Sequence, residues 1–227
     1  MATNLDLEEQ EQLAELKHFW NQWGNLITWL LIAVLLAFAG WNGWQYWQRK
    51  QAAQAAGLYD EISQSAQAGD MAKLERALAD MKDKYGGTTY AAQGGLLAAK
   101  ALYDKQKTAE AKTALNWVAD QGATDALQAV ARLRLSSIQV SEKAYDEALK
   151  TLSGSVPEQF SALVADRRGD VFLLQNKRAE AAVEFGKAYQ GLGTDSGDYR
   201  RLVGIKLNAL GIDPDAAGAH AAAGAKS

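Results

Sequence analysis

The chain has 227 residues, with 24 Lys and Arg against 27 Asp and Glu, a net charge of −3, two prolines and no cysteine. That balance excludes the cationic footprint a nucleic-acid binder needs, and the missing thiols exclude disulfides, thiolate metal sites and thiol nucleophiles. Abundant Ala, Leu, Lys, Glu and Gln with so little proline predict an all-α chain, because those side chains lose little freedom in a helix.

Residues 1–22 form a short acidic tail, with five Asp and Glu against Lys17. Leu13, Leu16 and Trp20 recur at helical spacing there and put a small apolar stripe on it, read either as an interfacial face or as a solvated helix entry. From Phe19 to Gln48 no residue is charged, and six of the seven tryptophans lie in that stretch. A bilayer core needs about 20 apolar helical residues, so 23–47 is assigned as one transmembrane helix. Indole rings favour the headgroup level, which makes Trp20 and Trp23 one interfacial belt and Trp41, Trp44 and Trp47 the other. Ala37-Phe38-Ala39 resembles a signal-peptidase site, but the segment before it is acidic and the apolar run continues into the second belt, so a retained anchor is expected. Ala33 with Ala37, and Ala39 with Gly43, are small pairs that would let another helix approach.

After the anchor, helical patterns alternate with breaks at Gly69-Asp70, Gly86-Gly87, Asp104 to Lys107, Gly122, Ser141 to Lys143, Gly154 to Pro157, Asn176-Lys177 and Gly191 to Gly197. Superposed, TAEAKTAL (from Thr108), YDEALKTL (from Tyr145) and RAEAAVEF (from Arg178) share Glu-Ala, with a large apolar residue four places after the alanine. The alanines are Ala111, Ala148 and Ala181, with Ala77 of LERALADM as a weaker fourth copy, at spacings of 34, 37 and 33 residues. Twelve residues before each stands a small residue, Ser65, Ala99, Ser136 and Gly169, where two helices would cross. Period and small positions resemble the tetratricopeptide repeat (TPR) family, without its Trp and terminal Pro; generic Ala-rich hairpins are the alternative. The fold expected for 48–211 is a TPR-like α-solenoid of about four helical hairpins with a capping helix over Ser196 to Leu210, followed by a disordered Ala/Gly-rich tail, 212–227.

Stacked first helices of such an array line a groove. Carrying the TPR groove positions over gives Gln93, Leu96, Lys100 and Tyr103, then Val130, Leu133, Ser137 and Val140, then Leu163, Asp166, Asp170 and Leu173. This set is more apolar than basic, which suits an extended or helical apolar guest better than a peptide carboxylate; for Leu133, Val140 and Leu173 a plain core position is the competing reading.

No catalytic constellation emerges. His18 and His220 are the two histidines and neither has an i, i+4 partner for zinc. Gly191 to Gly197 lacks the spacing of a phosphate loop, and Arg168-Gly169-Asp170 falls in a predicted helix, where its charges are ion-pair candidates. The chain is expected to be no enzyme and to need no cofactor or metal.

Lys17-His18-Phe19-Trp20 before the span, Gly40-Trp41-Asn42-Gly43-Trp44-Gln45-Tyr46-Trp47 closing it, Ala131-Arg132-Leu133-Arg134-Leu135 and Val164-Ala165-Asp166-Arg167-Arg168-Gly169-Asp170 together resemble the YfgM family of bacterial inner-membrane proteins. The resemblance covers about residues 8 to 210. It implies a cytoplasmic N-terminal tail, a periplasmic C-terminal domain, association with the SecYEG translocon and a PpiD-like chaperone, and handling of unfolded secretory chains. An envelope scaffold unrelated to Sec is the alternative. Charge near the span argues the other way: Arg49 and Lys50 outnumber Lys17, which by the positive-inside rule would keep the domain in the cytoplasm. The excess is one residue and long domains translocate largely regardless of charge, so the orientation implied by the resemblance is the one expected.

Overall fold

The computed structural model describes residues 7–193 and 196–214, with side chains at Leu13 and from Lys17 onward. The side chain of Leu16 in the N-terminal stripe and most of the Ala/Gly-rich tail therefore lie outside what is described. Among the described residues there are nine helices and no strand: α1 (Leu7–Ala68), α2 (Met71–Tyr85), α3 (Thr89–Asp104), α4 (Thr108–Gln121), α5 (Asp125–Ser141), α6 (Tyr145–Thr151), α7 (Glu158–Leu174), α8 (Arg178–Gly191) and α9 (Gly197–Ala209). Two units meet between Gln51 and Ala52, inside α1. No helix break separates the apolar run from the residues that begin the repeats, as expected where neither Gly nor Pro supplies a stop signal between Trp47 and Gly57.

In the second unit the end of α1 pairs with α2, α3 with α4, α5 with α6 and α7 with α8, and α9 follows as a ninth helix packed on α8. Local chemistry sets the boundaries. Asp70, Thr88 and Thr124 cap α2, α3 and α5 by accepting a hydrogen bond from the backbone N–H three residues on, which satisfies a donor the helix itself leaves open. The turn within each hairpin is one repeated device: Gly69, Gln106, Lys143 and Asn176 adopt φ of +75°, +63°, +62° and +60°. The next N–H then reaches back to close the preceding helix, Asp70 to Ser65 O, Lys107 to Leu102 O, Ala144 to Gln139 O and Lys177 to Phe172 O, at 2.8 to 3.0 Å. These are Schellman closures, which place one left-handed residue just beyond a helix end.

Measured from those turns, Ala111, Ala148 and Ala181 each follow the left-handed residue by five, and Ala99, Ser136 and Gly169 precede it by seven. The same count in the first hairpin reaches Leu74 and Ile62, not Ala77 and Ser65, so the sequence superposition of that copy was three residues out of register. Three residues is close to one helical turn, so both alignments put the same face inward and periodicity alone could not separate them. The first hairpin thus crosses on two large side chains, both fully buried, and the room comes from α3, where a Cβ on Gly94 would lie 3.2 Å from Ile62 and 3.4 Å from Met81.

The core of the array falls into three clusters that succeed one another along it. Residues of α1 to α5 form its first section, Ala148, Leu152, Val164 and Val171 its middle, and Ala181, Phe185, Ala188, Val203 and Leu207 its end. Charged side chains tie successive hairpins on the outside: Lys107 to Glu75 at 2.6 Å and Lys112 to Glu142 at 2.7 Å, with the Gln175 amide donating to Asp146 at 2.9 Å. Each such exposed pair contributes about 0–1 kcal/mol, so the stack is held by its core and these contacts set its register.

Candidate binding groove and membrane segment

In the first unit the apolar face has no cover among the described residues: Trp29, Leu36 and Phe38 are each about two-thirds exposed. Such a surface is costly in water and ordinary in hydrocarbon, and α1 is long and apolar enough to cross a membrane. Its polar groups are turned inward on the helix: the Thr28 hydroxyl donates to Gly24 O at 2.7 Å and the Asn42 amide to Phe38 O at 2.9 Å. Backbone carbonyls are the partners available where water is absent. Trp20 lies against Gly24, and Trp44 and Trp47 approach ring to ring at 5.2 Å; Trp20, Trp23, Trp41, Trp44 and Trp47 are all exposed, as interfacial rings would be.

In the second unit an open groove of about 400 Å³ lies between α3 and α5, with α4 behind it. Ala99, Leu115 and Ile138 form its floor, and Lys100, Tyr103, Arg134 and Ser137 its walls and rim. The groove thus brings together three of the twelve positions expected from sequence: Lys100, Tyr103 and Ser137. Lys100 is paired with Asp104 at 2.7 Å, one turn on, and Tyr103 keeps 42% of its surface exposed. The Ser137 hydroxyl donates to Leu133 O at 2.9 Å.

Other expected positions fall elsewhere. Leu96 is buried in the first section of the core with Val130 against it, and Leu133 and Val140 pack on the middle section, so these four are structural. Gln93 is exposed on α3 outside the groove lining, Leu163 is half-buried on α7, and Leu173 remains 38% exposed at the end of α7. Asp166 and Asp170 are taken up by α9: Lys206 Nζ donates to Asp166 at 2.8 Å and to Asp170 at 2.7 Å, and the Tyr199 hydroxyl donates to Asp166 at 2.7 Å. Burial, and then this hydrogen bond to a carboxylate, push the Tyr199 hydroxyl well above the ordinary tyrosine range. The reason for the correction is positional. The capping helix sits where the first helix of another repeat would, and its side chains take up the face of α7 that carries Asp166 and Asp170.

Sequence reasoning missed Arg134, Ile138, Ala99 and Leu115. Of its chosen positions on α5, Ser137 lines the groove, while Leu133 lies one residue, roughly 100° of helix rotation, from Arg134. The usable signal was the crossing set itself, since Ala99 and Leu115 stand at the small and large positions of one repeat. Among the described residues no cluster of His, Cys, Asp or Glu could hold a metal.

Comparison with known proteins agrees with this architecture. A tetratricopeptide repeat-like domain family matches residues 17–212. A protein of Neisseria gonorrhoeae (strain ATCC 700825 / FA 1090) is 31% identical over 90% of this chain and 98% of its own length. One from Haemophilus influenzae shows the same identity and coverage, and one from Escherichia coli K12 is 31% identical over 76% of this chain and 83% of its own. Each of the three is named an ancillary SecYEG translocon subunit. An apolar helix competent to span, an array of four hairpins and a match along nearly the whole of such relatives place this chain in the TPR-like family of ancillary SecYEG translocon subunits.

Proposed function

We propose that this chain is itself an ancillary subunit of the SecYEG translocon, held in the bacterial inner membrane by one helix, with its repeat array in the periplasm. There the array receives unfolded secretory chains together with a PpiD-like chaperone, and it does so by binding, without catalysis. One observation carries the reading most directly: the chain matches nearly the whole length of translocon subunits, both anchor and array, and its array leaves an open, apolar-floored groove between α3 and α5. A groove of this size and lining suits a short stretch of extended chain with one or two apolar side chains.

The test is site-specific photocrosslinking in living cells. A crosslinker replacing Trp44, at the end of the span, should recover a translocon subunit, and one replacing Tyr103 or Ser137, at the groove, should recover a PpiD-like chaperone or a secretory chain. Recovery of unrelated envelope proteins alone, from variants that still fold, would sink the proposal.

A further inference from the structure

The rim of the groove carries two cations and a single anion. Lys100 projects from α3 and is paired with Asp104, an exposed i, i+4 pair of the kind that contributes little and exchanges readily. Arg134 projects from α5 across the same groove, is exposed, and has no carboxylate partner among the described residues. Its one hydrogen bond to the protein runs from Nη1 to Leu96 O at 3.3 Å, which steers the guanidinium toward α3 and uses a fraction of its five donors. The stems of both side chains extend the apolar walls, and their charged ends stand at the mouth.

Two other arginines of the array, Arg132 and Arg168, provide a contrast. Arg132, two residues earlier on α5, is spent on the backbone carbonyls of Ala119 and Ser155, and Arg168 faces Glu184 at 3.4 Å. Those side chains hold the fold. Arg134 closes no comparable network, and it sits where the apolar floor of Ala99, Leu115 and Ile138 is exposed to a guest.

We infer that the groove selects extended peptide segments in which apolar residues are flanked by aspartate or glutamate, the carboxylate pairing with the free guanidinium edge of Arg134 while the apolar side chains lie on the floor. The inference rests on the groove being a peptide site, as proposed above, and adds the chemistry of the guest. Arginine is suited to this because its planar fork can hold a carboxylate through two parallel hydrogen bonds. A charge at a groove rim acts mainly on encounter and on specificity, so the preference should weaken as salt rises.

The experiment uses the full chain in detergent micelles and two fluorescent synthetic peptides sharing a Leu-Phe-Leu core, one flanked by aspartates and the other by asparagines. The acidic peptide should bind about five- to tenfold more tightly at low salt, the size expected for a partly exposed charge-assisted hydrogen bond. Arg134→Gln should abolish that preference, weakening the acidic peptide by more than the asparagine peptide, and Arg134→Glu should reverse it. Equal binding of the two peptides to the native chain would overturn the selectivity and leave the groove standing. Binding of neither, or binding indifferent to Ile138→Asp in a chain that still melts cooperatively, would overturn the groove reading as well.

Discussion

At the residue scale, the crossings inside the hairpins obey a size rule. Four residues after each repeat alanine stands a large side chain, Leu115, Leu152 or Phe185, and the small residue of the facing helix is Ala99, Ser136 or Gly169. The largest ring meets the residue with no side chain: a Cβ on Gly169 would lie 2.5 Å from the Phe185 ring, far inside van der Waals contact. Gly169→Ala should therefore destabilise the array by about 1 kcal/mol net, an overpacking cost of about 1–3 kcal/mol less the ~1 kcal/mol that alanine gains in a helix. Phe185→Leu alone should destabilise too, by leaving a cavity. Combined, the two recreate the Ala99 and Leu115 pair of the second hairpin, so the double variant should be more stable than the sum of the singles predicts. A double-mutant cycle by urea unfolding measures this, and strict additivity would show that the two residues do not share the crossing.

At the element scale, the four hairpin turns use one backbone geometry with four different residues. Gly69 adopts positive φ without steric cost, Asn176 tolerates it, and Gln106 and Lys143 are held there against their preference by the closures around them. Lys143→Gly should raise stability by about 0.5–1 kcal/mol, Asn176→Gly by less, and Gly69→Ala should lower it by about 1 kcal/mol. Urea midpoints at constant slope would check this order, and a loss on Lys143→Gly would mean its side chain contributes something the turn geometry does not show. These turns also explain what was legible in the sequence. Every helix break was readable, because Gly, Asn and polar clusters interrupt strong helical periodicity at the same phase in each repeat. The three regular repeats were readable too, since Glu-Ala at a fixed spacing survives variation elsewhere. The first copy was displaced because a shift of nearly one turn preserves its apolar face. The groove face was read in part, Lys100, Tyr103 and Ser137 but not Arg134 or Ile138, because periodicity tells which side of a helix is inward, whereas the groove lies at the border between inward and outward. That Asp166 and Asp170 would be claimed by Lys206, 36 to 40 residues on, is a tertiary event with no local signature.

At the scale of the whole molecule, the open question is which side of the membrane holds the array. The charges nearest the span, Arg49 and Lys50 against Lys17, favour a cytoplasmic array. The margin is one cation, and the positive-inside rule governs short flanks far better than a domain of this length. The proposed function weighs on the other side: a groove that received extended apolar chain would have its guests where secretory proteins emerge unfolded, at the periplasmic face of the translocon. The absence of cysteine makes the matter directly measurable, since any single introduced thiol is the sole label site. Arg201→Cys is the appropriate probe of the array. Arg201 is 74% exposed on α9 and pairs with an even more exposed Asp198, so its loss costs little. Leu13→Cys, exposed on the other flank, is its counterpart. With a maleimide reagent that passes a permeabilised outer membrane and stops at the inner one, Arg201→Cys should be labelled in intact cells and Leu13→Cys after lysis alone. The opposite pattern would put the groove in the cytoplasm, where it could not meet a translocated chain, and would turn the weak charge bias at Arg49 and Lys50 into the determinant of topology.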